Sequence, residues 1–132
     1  MAVNILIVDD SAVMRAMIRK TIELSGLQLG TIHQAVDGRE GLSALETNWI
    51  DLVIADINMP VMNGEEMIER MQAVPDLKSI PTIVVSTEGS RVRIERLERR
   101  GVRFIHKPFS PEMIRDTVKA VLGSGVFHES TH

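Results

Sequence analysis

Five short runs rich in branched aliphatic residues alternate along the chain with amphipathic stretches, and this alternation restricts the fold more than any other feature. The runs are residues 3–8 (VNILIV), 31–36 (TIHQAV), 51–55 (DLVIA), 81–86 (PTIVVS) and 102–106 (VRFIH). Their length and Val/Ile content predict strands. The second is partly polar, which places it at a sheet edge, and Pro81 is tolerable at the start of its run.

The intervening stretches read as helices. One starts at about Ser11, carries Met14, Met17, Ile18 and Ile22 at helical spacing, and stops at Gly26. A second follows Gly38 and holds Leu42 and Leu45, with Trp49 expected to cover its end; a short third runs from Gly64 to about Met71 on Met67, Ile68 and Met71. The fourth, Ser90 to Arg100, has only Val92, Ile94 and Leu97 to bury. In the last, from Ser110, Pro111 occupies the first turn and Met113, Ile114, Val118, Val121 and Leu122 form one stripe. The eight methionines read as core filler, and the tail after Gly123 is expected to fray. Strands and helices in strict alternation make an α/β protein, with a parallel sheet between two helical layers and right-handed crossovers.

At 132 residues the chain has enough material for one core, and no repeat, low-complexity segment or linker divides it. A net charge of -3 gives no reason to expect nucleic acid or an anionic membrane as partner. Without cysteine, a disulfide framework and a thiolate metal site are excluded. The amino terminus meets an acidic pair after a short apolar run, unlike a signal peptide, and no apolar stretch is long enough to span a bilayer. The expected location is the cytoplasm.

Four polar sites fall just after predicted strands: Asp9 and Asp10 after the first, Asp56 after the third, Ser86 at the end of the fourth, and Lys107 after the fifth. The carboxyl ends of parallel strands share one edge, where open α/β sheets bind ligands. Three carboxylates gathered there repel one another, and a divalent cation relieves the repulsion. Magnesium suits such a site, since it takes oxygen ligands and commonly bridges carboxylate to phosphate. A carboxylate is then a competent nucleophile towards phosphorus, with a lysine and a hydroxyl to contact the phosphoryl oxygens. Each residue also has a plainer reading. Asp10 or Ser11 could cap the first helix, Asp56 could be a turn residue ahead of Asn58-Met59-Pro60, Ser86 and Thr87 could be strand end and helix cap, and Lys107 a solvated strand end. Only their joint placement on one rim favours chemistry. His33, His106, His128 and His132 lack metal-ligand spacing, and none reads as catalytic.

The strips ILIVDDSAVMR, AVDGREGL, LVIADINMPVMNG, IPTIVVSTEG and FIHKPF, in this order from about Asn4 to Leu122, resemble the response-regulator receiver family. The resemblance implies a flavodoxin-like doubly wound (βα)5 sheet of order 2-1-3-4-5 in a single domain, with residues 1–123 as the receiver and 124–132 as a C-terminal tail. It implies that Asp56 is the phosphoacceptor, served by a histidine kinase or phosphotransfer protein. Asp9, Asp10, Asp56 and the backbone carbonyl of Asn58 would hold Mg2+. Lys107 would pair with the phosphoryl group, Ser86 would supply the switch hydroxyl, and Phe104 would be the rotating aromatic. The family usually has Ala or Gly after the hydroxyl. Here that position is Thr87, which leaves Thr87 as an alternative hydroxyl and a narrower entrance.

DDSAVMR, with Asn58 and Glu88, resembles chemotaxis-type receivers, in which these flanking positions speed phosphate loss. A short-lived phosphoryl group is therefore expected, on a monomer whose output partner binds the face made by helix 4, strand 5 and helix 5. No turnover of a separate substrate is expected. A receiver cut from a longer regulator is the alternative within the family. An aspartyl-phosphate phosphatase of the haloacid-dehalogenase kind needs an aspartate where Asn58 stands, and for a flavin carrier three Phe, one Trp and no Tyr leave little to stack on the flavin. Arg91, Arg93, Arg96, Arg99, Arg100 and Arg103 crowd the fourth helix. Either they pair internally, as Arg91–Glu95 and Glu95–Arg99, or Arg96 and Arg100 dock an acidic partner.

Overall fold

A computed structural model describes residues 2–123 together with Gly125 and Phe127. Its elements are β1 (Val3–Val8), α1 (Ala12–Leu24), β2 (Leu29–Ala35), α2 (Gly38–Thr47), β3 (Leu52–Ala55), α3 (Gly64–Gln72), β4 (Thr82–Ser86), α4 (Arg91–Arg99), β5 (Arg103–His106) and α5 (Pro111–Leu122). The five strands are parallel in the order β2-β1-β3-β4-β5, the doubly wound arrangement expected. β2 lies at one edge, as its polarity implied, and β5 at the other.

The helices begin for one shared reason. Ser11, Asp37, Asn63, Ser90 and Ser110 each accept a hydrogen bond from the backbone N–H three residues on, satisfying a donor the helix cannot use. Strand starts differ slightly from expectation. β2 begins two residues earlier than the apolar run, while β3, β4 and β5 begin one later. Asp51, read as strand, instead turns its carboxylate to the Asn4 N–H (2.8 Å) and the Trp49 indole N–H (3.0 Å). Trp49 itself is 80% exposed and covers no helix end.

The sheet is apolar on both faces. Ile5, Ile7, Ile54, Ile83 and Val85 pack with Ile18 and Ile22 of α1 and Ile114 and Val118 of α5; Leu6, Val8 and Val53 pack with Leu45 of α2 and Met67 and Met71 of α3. Ile57, Ile68, Val84, Leu97 and Val102 make a third cluster under α4. Met17, Val92 and Met113, expected in the apolar stripes, are exposed because each falls at the outer margin of its helix.

The tail departs from the expectation of fraying at one residue. Phe127 is only 7% exposed, joins the cluster with Leu27, Ile22 and Val118, and bridges Leu27 by backbone pairing. Arg115 and Lys119 of α5 lie over its ring at 5.7 and 5.9 Å. Apart from Gly125, the remainder of the tail lies outside the described residues. Phe127→Ala is expected to lower stability by about 2 kcal/mol, less than an interior Phe because a chain end can settle into the space. The urea midpoint measures it.

Of the two pairs expected within the fourth helix, one forms. Arg91 meets Glu95 at 3.7 Å, but among the described residues Arg99 forms no ion pair with Glu95. Arg96 instead engages Glu65, and Arg100 meets Glu69 at 3.1 Å, so α4 is laced to α3. Arg103 belongs to β5 and is exposed.

Candidate functional site

The carboxyl ends of β1, β3 and β5 bring together residues separated by up to 98 positions. Asp9, Asp10 and Asp56 each present a carboxylate oxygen within 4.8 Å of the others. The Lys107 ammonium reaches over them, 3.5 Å from Asp9 Oδ2 and 3.6 Å from Asp56 Oδ2. Asp9 and Asp56 are buried while Asp10 is exposed, so the cluster is a shallow cup with one wet wall.

Each group is held by local structure. The Ser11 N–H donates to Asp9 Oδ1 (2.9 Å), and the Arg15 guanidinium donates to the Asp9 carbonyl (2.7 Å) and to Gln34 Oε1 (3.0 Å). Asp56 Oδ1 accepts from the Ile57 N–H (2.7 Å). Past Asp56 the chain turns back through Asn58–Asn63, and Gly64 N–H closes that loop on the Ile57 carbonyl at 2.9 Å. Gly64 has to be glycine, since a Cβ there would overlap the Asp56 carbonyl oxygen and lie 3.0 Å from Ile57 Cα. Ser86 is fully buried; its Oγ accepts from the Glu88 N–H (3.2 Å), and its carbonyl accepts from the Lys107 N–H (3.0 Å). Thr87 is exposed, so of the two hydroxyl candidates Ser86 is the one enclosed by the sheet. Phe104 is half-buried against the third cluster, its ring 4.7 Å from that of His106.

Burial pushes the Asp9 carboxyl above the usual carboxylate range, helped by the Asp56 charge and opposed by the Ser11 N–H and Lys107. Its ionised form is therefore a liability at neutral pH. Stability linked to this group is full below the unfolded-state pKa, where the carboxyl is protonated, and is lost as pH rises through the raised one. An all-oxygen donor set with surplus negative charge is what a hard divalent cation fits.

Sequence reasoning found Asp9, Asp10, Asp56, Ser86 and Lys107, and the fold brings them together. It passed over three residues. Arg15 lay within a quoted strip with no chemistry of its own, Gly64 looked like a helix start, and Arg93 looked like one charge among many. Arg93 reaches the rim, donating to Asn58 Oδ1 (3.1 Å) and Glu88 Oε1 (2.9 Å).

A doubly wound sheet with this acidic cup and opposed lysine defines a receiver, and residues 5–119 match the family model described as the response regulator receiver domain. The chain belongs to the response regulator receiver family. It is 33% identical over 123 residues to chemotaxis protein CheY1 of Helicobacter pylori strain J99, covering 92% of this chain and 98% of that one. It is 35% identical over 124 residues to the chemotaxis protein CheY homolog of Campylobacter jejuni strain 81-176, covering 92% and 94%. The chemotaxis response regulator CheY4 of Vibrio cholerae superposes with a TM-score of 0.80 at 31% identity, covering 92% of this chain and all of that one. Two-component signalling of the chemotaxis type is thus the class to which the chain is similar. Among the described residues no helix is long and apolar enough to cross a membrane.

Proposed function

We propose that this protein is a phosphoacceptor switch in which Asp56 takes a phosphoryl group from a histidine kinase or phosphotransfer protein. The observation that carries the reading is the convergence of Lys107 on the Asp9 and Asp56 carboxylates, beside Asp10. An Asp56 carboxylate oxygen attacks phosphorus, and the kinase imidazole leaves with the bonding pair. Lys107 steadies the phosphoryl oxygens, and Ser86 turns from the Glu88 N–H to add a second contact. Asp9, Asp10, Asp56 and the Asn58 carbonyl would hold Mg2+, which when bound screens the carboxylate charge and offsets that of the phosphoryl oxygens.

Only contacts that differ between the two states shift a population, and Ser86 and Lys107 gain theirs only after transfer. Space left by Ser86 admits Phe104, changing the α4–β5–α5 face that an output protein would read. Residues 1–123 form the receiver, with 124–132 a tail whose Phe127 docks on it. The protein works as a monomer in the cytoplasm, and its chemistry is confined to its own side chain. Asn58, lacking a transferable proton, argues against a phosphatase acting on other substrates.

Label transfer from acetyl phosphate tests the reading, with Asp56→Asn as control. A second measurement tests the metal. Mg2+ at ten times its dissociation constant stabilises by about 1.4 kcal/mol, or about 5 °C in Tm. The Asp9→Asn variant in EDTA at pH 7 is expected to melt above the wild type, because a raised carboxyl pKa means ionised Asp9 opposes folding there, and to respond less to Mg2+. Equal Mg2+ responses in the two proteins would remove the metal assignment.

A further inference from the structure

Arg93 lies in the first turn of α4, yet its guanidinium works at the mouth of the acidic cup. A single nitrogen, Nη1, donates to both Asn58 Oδ1 (3.1 Å) and Glu88 Oε1 (2.9 Å). Asn58 stands two residues beyond Asp56 and Glu88 two beyond Ser86, so this one group joins the loops that carry the cup and the hydroxyl. The second Glu88 oxygen accepts from the Ser90 N–H (2.9 Å). Arg93 is itself backed by Glu65 of α3, with Nε 3.6 Å from Oε1. Its neighbour Arg91 is exposed and meets only Glu95 among the described residues.

From this geometry we propose that Arg93 is a positioning residue that slows loss of phosphate from Asp56; the proposal rests on the phosphoacceptor reading. In hydrolysis a water oxygen bonds to phosphorus as the bond from phosphorus to the Asp56 oxygen breaks. The electron pair returns to the Asp56 carboxylate, the water proton passes to a phosphate oxygen, and inorganic phosphate leaves. Such a water is placed by hydrogen-bond acceptors at the mouth. The Asn58 amide oxygen and the Glu88 carboxylate stand two residues past Asp56 and Ser86; Arg93 donates to both, and Ser90 N–H donates to the second Glu88 oxygen. While the guanidinium holds them it competes with the water for their lone pairs, so neither aligns the water as well as a free acceptor can. Released, both can.

The experiment loads the full chain with acetyl phosphate and Mg2+, removes the donor, and follows label loss. Arg93→Ala is expected to lose label about three- to tenfold faster than wild type, with Arg91→Ala unchanged. Arg93→Lys keeps the charge without the planar fork and is expected to fall between, which preserves the test if the alanine variant folds poorly. In an Asn58→Ala/Glu88→Ala background, adding Arg93→Ala is expected to change nothing further. Label loss in Arg93→Ala or Arg93→Lys equal to or slower than wild type overturns the proposal, as does acceleration that persists in that background. If wild type takes no label, the phosphoacceptor reading fails first, and the role of Arg93 falls with it.

Discussion

Asp56→Asn is expected to reduce acetyl-phosphate labelling by about three orders of magnitude, to the detection floor, while leaving the protein folded. The reason is chemical. An amide oxygen is not the anionic nucleophile that phosphorus requires, and no other group in the cup replaces it. Asp9 is pinned by the Ser11 N–H and Lys107, and Asp10 lies on the wet wall. Folding survives because Asn is nearly isosteric and can still accept from the Ile57 N–H, as Asp56 Oδ1 does at 2.7 Å. Removing one of three mutually repelling carboxylates even relieves strain in the metal-free protein. Mass spectrometry of the intact chain reads the added phosphoryl group directly. Equal label in wild type and variant would place the acceptor elsewhere and end the functional reading.

Gly64→Ala is expected to give the largest loss of stability at any position near the cup, about 4 kcal/mol, together with slower labelling of Asp56. The added methyl overlaps the Asp56 carbonyl oxygen, and the atoms it meets are backbone, which has no rotamer to yield. Either α3 lifts from the sheet, breaking the contacts of Met67 and Met71 with the core, or the Asp56 loop shifts and carries the nucleophile out of reach of Lys107. Gly89→Ala serves as control, since nothing lies within 4 Å of a Cβ there, and is expected to stay within about 0.5 kcal/mol of wild type. Urea midpoints and initial labelling rates separate the two effects. A Gly64→Ala protein as stable and as readily labelled as wild type would mean that the close approach of α3 to Asp56 has no functional weight.

The strands, helices and rim residues were legible in the sequence because they depend on local rules. Val and Ile runs make strands, apolar residues at helical spacing mark helices, and parallel strands end on one side. Phe127 was not legible, because its burial depends on a chain end returning across the molecule to Leu27, 100 residues earlier, and no periodicity marks such a return. Asp51 was misread for a similar reason: one of its partners, the Asn4 N–H, belongs to β1 and lies 47 residues earlier. The fourth-helix arginines were judged by i,i+4 spacing, which sees only their own helix, whereas Arg93, Arg96 and Arg100 spend their charge on α3 and on the loops of the cup. Strand order and residue roles came from family resemblance, because alternation alone leaves many orders open.

The ion pairs between α3 and α4 are not equally sheltered. At the rim end, the Arg93 and Glu65 side chains are 23% and 14% exposed, while farther along Arg100 and Glu69 are 34% and 52% exposed. Dissolved ions screen open pairs far more than enclosed ones. Rising ionic strength therefore weakens the tie between the far end of α4 and α3 more than the tie at its start, while buried Leu97 keeps the helix seated on the sheet, so the electrolyte tunes a tether and not the anchor.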